Sequence, residues 1–391
     1  MGKIEKLKNV EFLRFIFSIG IVFFHVIRWL GKPFLSDVSI FNFLYVNNWS
    51  AICVEFFFIV SGFFLITTTD FSISFGDFVK RKIIRLLPVL WCSITVYFIL
   101  SLFTSLVYSK WNNIFALLLC NNLGISHTVG NIIPSWFVSS LFWGGLFYFF
   151  IVKYTSKNWI NFIISVIIIL LFSFLSHANM NCAFSKNFGY MFNAGMLRAL
   201  AGMGLGYLLG VEYLQYKDFV IKYQEKFITK ILFTVGEIYL FSFLLYYLTF
   251  HRIKAADSYM IYIFAFSGLF GLFILKRGYF SRLLNNDFSV ILGRYSYSIF
   301  IMHTIVLDLF KVYLWQQHKS FIIAYPVLNL ILPVAASILL GIVTYHLVEK
   351  PAADYLKKKW FPKKSCENVE NPLPELVLPR GVAYRLVFAC S

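Results

Sequence analysis

The stretch FLRFIFSIGIVFFHVIRWL, Phe12 to Leu30, is long and apolar enough to cross the roughly 30 Å hydrocarbon layer of a bilayer, yet it holds Arg14 and His25. The two are eleven positions apart. At about 100° per residue, eleven steps come within about 20° of three full turns, so a helix presents both side chains on one face. Glu11, Ser18 and Arg28 fall near the same face. The axial rise between Arg14 and His25 is about 16 Å. Ionisable groups in a lipid-spanning helix are costly and normally face a protein interior or a water-filled cavity, so this stripe is the first place to look for a site. An arginine near a helix end can also snorkel to the headgroups, and a buried histidine can be a packing residue. His25, three turns deeper, has no snorkelling route.

The rest of the chain repeats the pattern of that stretch. Of 391 residues, 59% are hydrophobic, 20% aromatic and only 14% charged, with 47 phenylalanines, which excludes an ordinary soluble protein and defines an all-α polytopic membrane protein. Ten spans are predicted, at about 12–30, 50–67, 86–108, 136–153, 159–176, 194–214, 228–249, 258–275, 288–312 and 322–347. The apolar run Ile114 to Cys120 is too short to cross, and is expected to lie in the interface or to re-enter. The net charge of +17 is spread in short clusters between spans, which points to anionic membrane lipids as the partner and away from nucleic acid. With ten spans, twenty-one Lys and Arg residues fall on the amino-terminal side and six on the other, so both termini are expected in the cytoplasm. A count wrong by one helix would scramble that alternation.

No cleavable signal peptide is expected, since the first span carries charges and no small-residue cleavage site follows it. The six cysteines have no metal-ligand spacing and read as scattered unpaired residues, with Cys120–Cys182 as the conceivable disulfide. No metal site is expected. Residues 1–355 read as one transmembrane domain, and 356–391 as a basic and then disordered cytoplasmic tail.

Several further positions stand out. The segment FVKRKIIRLLPVLW reads as a cytoplasmic loop in which Lys82 and Arg85, one helical turn apart before Pro88, can grip a phosphate-bearing ligand or simply fix topology. Glu55, in VEFFFIVSGFFL, is a membrane carboxylate that needs a partner, either a basic side chain or a sugar hydroxyl. Trp136 heads WFVSSLFW as an aromatic-belt anchor or a sugar-stacking ring. Arg198 precedes Gly202, Gly204, Gly206 and Gly210, which favour close helix packing. In ILGRYSYSIFIMH, Ser296 and His303 share a face seven residues apart, while Asp308 and Lys311 are expected to form a local ion pair.

The order VEFLRFIFSIGIVFFH, SGFF, the basic segment before Pro88, Trp136, Arg198 with its glycines, LGRYSYSIFIMH and VEKP resembles the acyltransferase-3 family of integral-membrane O-acyltransferases over residues 5 to about 355. The resemblance implies an enzyme of the cell inner (plasma) membrane that moves an acyl group, usually acetyl from acetyl-CoA, to a hydroxyl of a cell-surface glycan or its lipid-linked precursor. It implies His25 as the catalytic residue, Arg14 as its partner and Arg85 as one of the basic pair before the third span. Three positions depart from the family pattern: Glu11 replaces an aspartate, Lys82 replaces the first arginine of Arg-x-x-Arg, and no glutamate follows Trp136. On this reading Arg14, Lys82, Arg85 and Arg294 hold the phosphates of the acyl-CoA donor, while Glu55, Trp136, Arg198 and His303 make the acceptor side. A transporter or flippase of a lipid-linked glycan would equally need ten spans and buried charges, and discontinuous helices and paired halves would favour it.

Overall fold

The structure, a computed structural model, describes residues 7–34, 39–125, 130–177, 187–188, 192–222, 227–251 and 256–362. The expectations for a tail beyond 362 and for a Cys120–Cys182 disulfide fall on residues outside this set. The chain is helical almost throughout, apart from a short antiparallel ribbon pairing Asn187–Phe188 with Phe192–Asn193. Among the described residues nine helices are long and apolar enough to cross a membrane, and the remaining expected span is present as Ala256–Leu275.

The first helix, α1, runs Lys8–Phe34 and is followed by a short α2, Ser39–Asn47, which the sequence reading did not anticipate. Then come α3 (Cys53–Thr68) and α4 (Phe75–Phe103). The basic segment is part of α4 and not a loop. Ser74 caps the helix, its Oγ accepting from the Asp77 N–H at 3.0 Å, so helix begins before Lys80, Arg81, Lys82 and Arg85 and fixes them on its first turns. After α5 (Lys110–Leu117), the helices are α6 (Ser135–Tyr154), α7 (Lys157–His177), α8 (Ala194–Lys222), α9 (Phe227–Phe250) and α10 (Ala256–Leu275). A five-residue α11 (Tyr279–Leu283) leads into α12 (Asp287–Phe310), then α13 (Lys319–Ala324), α14 (Pro326–Thr344) and α15 (Lys350–Trp360). A π-helical turn, Tyr345–Glu349, joins α14 to α15, and a second one, Lys311–Trp315, ends α12. Among the described residues Lys311, the first residue of that second turn, forms no ion pair with Asp308, which lies beside Tyr97 of α4.

Large apolar side chains that face outward, such as Phe103, Ile169, Leu232, Phe264 and Leu339, give the bundle the surface a lipid-embedded protein needs. Inside, α1 packs along α12, α12 along α14, and α3 along α8. The α1–α12 pair is parallel and in register. Lys8 Nζ meets Asp287 Oδ1 at 2.8 Å at one end, and Gly293 opens the space that the Glu11 side chain fills, where an added Cβ would lie 2.3 Å from Glu11 Oε2.

The segment containing Ile114 to Cys120 re-enters the bundle. Asn113 and Asn131 clamp its neck, with Asn131 Oδ1 accepting from Asn113 Nδ2 at 2.7 Å and Asn113 Oδ1 from the Asn131 N–H at 3.0 Å. At its tip, Leu119 sits at φ 58°, and its carbonyl accepts from Ser139 Oγ (2.5 Å) and Trp143 Nε1 (2.8 Å). Trp91 donates to the Leu117 carbonyl at 3.1 Å. Trp91 lies about 18 Å along α4 from Phe103, so the loop reaches well back along the bundle, with Ala116 and Leu119 buried against it and Leu118 facing outward.

The α3–α8 contact is made backbone to backbone. An added Cβ on Gly62 would stand 1.9 Å from the Met203 carbonyl oxygen, and one on Gly206 would stand 1.9 Å from that of Ile59. Gly206→Ala must push two helices apart, and overpacking of this kind costs about 1–3 kcal/mol or more. We expect a lower melting temperature in detergent, read by fluorescence size exclusion after heating. Gly271→Ala, at a position with no atom within 4 Å of the new methyl, is expected to melt like wild type.

Candidate active site

At the end of the bundle where α1, α4 and α12 begin, a cavity of about 450 Å³ opens between α1, α3, α4, α6, α12 and the π-helical turn after α14. Its rim is charged. Five cations line it, Arg14, Arg81, Lys82, Arg85 and Arg294, against two carboxylates, Glu11 and Glu349, which leaves three positive charges in excess. Among the described residues only Arg14 of the five is ion-paired, its Nη1 meeting Glu11 Oε2 at 2.6 Å. Arg85 and Arg294 are exposed and Lys82 is half-buried. Such charges, uncompensated beside low-dielectric walls, attract a polyanion strongly.

Each element contributes for a local reason. The Ser74 cap sets the phase of α4, which puts Lys82 and Arg85 on the cavity side. Gly145 of α6 leaves room for the Lys82 ammonium, since a Cβ there would lie 2.7 Å from Lys82 Nζ. Tyr297 of α12 donates to the Leu86 carbonyl of α4 at 2.5 Å and locks the two helices across the cavity. The π-helical turn brings both Tyr345 and Glu349 onto the rim, and Glu349 accepts from Ser298. Such turns are often found at functional sites.

Deeper in, the lining becomes apolar. Phe57, Phe137 and Phe300 close the cavity as three touching rings, with centroids 5.1 Å apart for Phe137–Phe300, 6.1 Å for Phe57–Phe137 and 6.4 Å for Phe57–Phe300. His25 lies beyond this wall and does not border the cavity. The separation is one layer of side chains: the Phe300 ring is 6.2 Å from that of His303, and His303 is 5.1 Å from His25. Ser296 lines the cavity, while Ser18 turns its hydroxyl back to the Phe15 carbonyl at 2.7 Å. One turn beyond His25, the Arg28 guanidinium is stacked among Phe24, Tyr45 and Trp49.

Glu55, Arg198 and Trp136 come together elsewhere. Arg198 donates through Nε to Glu55 Oε1 at 2.5 Å, with Nη2 at the same distance, and the guanidinium carbon lies 5.6 Å from the Trp136 ring. All three residues are buried, and none lines the cavity. The structure thus brings Arg14, Lys82, Arg85 and Arg294 to one rim and His25 and His303 to one pair behind it. It sets Glu55, Trp136 and Arg198 in a separate cluster. Tyr297, Tyr345, Glu349 and the phenylalanine wall also line the cavity. Only Glu349, in VEKP, carried a signal, as a carboxylate at the end of a span.

Residues 7–346 match the acyltransferase-3 family model, described as an acyltransferase domain, and the chain belongs to that family. With its membrane-spanning helices it is a membrane acyltransferase. Neither the curated proteins nor the solved structures compared with the chain gave a match.

Proposed function

We propose that the protein transfers an acyl group, acetyl in the simplest case, from acyl-CoA to a hydroxyl of a cell-surface glycan or its lipid-linked precursor, across the cell inner membrane. The observation that carries this reading is the cavity rim. Its three excess positive charges sit at the end of the bundle that the basic clusters assign to the cytoplasm, where CoA thioesters are made.

On this reading Arg14, Lys82, Arg85 and Arg294 hold the nucleotide phosphates, and the pantetheine arm follows α1 inward. The rise of about 16 Å from Arg14 to His25 suits that extended arm. The rings of Phe57, Phe137 and Phe300 part to let the thioester reach His25, and in its absence they separate the cavity from the histidines. His25 takes the proton of the acceptor hydroxyl as the oxygen attacks the thioester carbonyl. The new C–O bond forms, the C–S bond breaks, and the leaving thiolate takes the proton back from His25. Imidazole suits the task because its ordinary pKa lies near neutrality. Glu55, Trp136 and Arg198 shape the outer half through which the acceptor enters.

The reading is tested by incubating purified protein in nanodiscs with radiolabelled acetyl-CoA and glycan acceptors, then locating the label by mass spectrometry. Label that stays on CoA with every hydroxyl acceptor rejects it. Arg85→Ala is expected to raise KM for acetyl-CoA by about tenfold or more and to leave kcat within a few-fold, because a charge-assisted hydrogen bond contributes about 1.5–3 kcal/mol. Titration with a CoA analogue measures the same loss directly, and an unchanged affinity would remove Arg85 from the donor site.

A further inference from the structure

His303 is fully buried on α12, and its Nδ1 lies 2.7 Å from the Phe300 carbonyl oxygen. A carbonyl can only accept, so Nδ1 carries the ring proton and Nε2 is left as a bare lone pair. Among the described residues that Nε2 has no hydrogen-bond partner, although it is buried. An orphaned buried acceptor costs about 1–3 kcal/mol, a cost a merely structural histidine would avoid by turning to a partner. The ring it belongs to stands 5.1 Å from the ring of His25, with the two planes tilted by 32°. The hydroxyl of the next residue, Thr304, is also buried and has no hydrogen-bond partner among the described residues.

We infer that His303 is the positioning residue of His25: its Nε2, bare in this structure, takes up the N–H of the adjacent His25 imidazole when substrate is bound and leaves the other His25 nitrogen bare toward the acceptor hydroxyl. The chain of hydrogen bonds would run from the Phe300 carbonyl through His303 to His25, the same logic by which a third group orients a general base elsewhere. It also ties the pair to the wall, since the residue whose carbonyl fixes the His303 tautomer is one of the rings closing the cavity. When His25 takes the hydroxyl proton, the positive imidazole faces a neutral acceptor, and no further proton has to move. This role differs from contact with the acceptor, and it rests on the acyl-transfer reading above.

The test compares His303→Leu, which removes the acceptor, with His303→Gln, whose side-chain carbonyl oxygen can stand in for Nε2. In nanodiscs with acetyl-CoA and an acceptor that wild type acetylates, His303→Leu is expected to lose about a hundredfold in kcat, the low end for a general-base contribution, with both KM values within about threefold. His303→Gln should recover at least about a tenth of wild-type kcat. Residues acting as one unit are non-additive, so the His25→Ala/His303→Leu double variant should be no slower than His25→Ala alone. Equal losses in the Leu and Gln variants, or a raised acceptor KM at unchanged kcat, would overturn the assignment. Where His303→Leu fails to fold, nitrogen NMR of histidine-labelled wild type decides. A Nδ1–H tautomer for His303 is expected, and a Nε2–H tautomer overturns the inference. An inactive wild type would instead strike at the acyl-transfer reading itself.

Discussion

His25→Ala is expected to lower acyl transfer by about a thousandfold or more while leaving a folded, monodisperse protein that still binds a CoA analogue. The size follows from chemistry: a positioned general base contributes about 10²–10⁴-fold, and no other imidazole on α1 can replace it. The survival of the fold follows from packing. The His25 ring is half-buried, and its ring contacts are with Phe24 and His303, at 5.2 and 5.1 Å. In this structure it makes no hydrogen bond to another helix among the described residues, so its loss leaves a small void and breaks no bond that now ties two helices together. Donor affinity should persist because the cavity rim lies about 16 Å away along α1. The measurement is turnover of labelled acetyl-CoA in nanodiscs, paired with calorimetric titration of a CoA analogue. Wild-type-like turnover would remove His25 from the chemistry. Lost turnover together with lost analogue binding would place it in the donor site instead.

How much of this could be read from residues alone depends on the range of the interaction. The stripe of Arg14 and His25 was legible because helical periodicity is local, and so was the one-turn spacing of Lys82 and Arg85. The start of α4 was not. A run of lysines and arginines reads as a solvated loop, and only the Ser74 cap, with Asp77 at its third position, reveals that helix has already begun. The π-helical turn at Tyr345–Glu349 breaks the period by one residue and leaves no compositional mark, so Tyr345 and Glu349 could not be placed on the rim. The wall of Phe57, Phe137 and Phe300 draws one ring from each of three helices. In a chain with 47 phenylalanines, nothing in the sequence singles those three out. The need of Glu55 for a partner was legible from the cost of a membrane carboxylate. Its identity was not, because Arg198 lies 143 positions away.

That pair carries the largest expected effect on stability. Arg198→Met removes the cation and leaves the Glu55 carboxylate, wholly buried, with no counter-charge. Breaking a buried ion pair from one side costs about 3–5 kcal/mol. Against a total stability of about 5–15 kcal/mol, such a loss should deplete folded protein and lower the melting temperature sharply. The double variant Glu55→Gln/Arg198→Met removes both charges, and is expected to recover much of what the single variant lost, since the penalty comes from the charge left alone more than from the bond. Arg198→Lys should fall between them. It restores charge but not the two nitrogens that converge on Glu55 Oε1, nor the flat cation that lies against Trp136. Melting in detergent with acetyl transfer measured in parallel separates two roles. If Arg198 is chiefly a strut between α3 and α8, stability falls first and the surviving folded fraction keeps its acceptor KM. If it grips the acceptor directly, Arg198→Met melts like wild type and raises that KM, and the buried pair would then have to open for substrate.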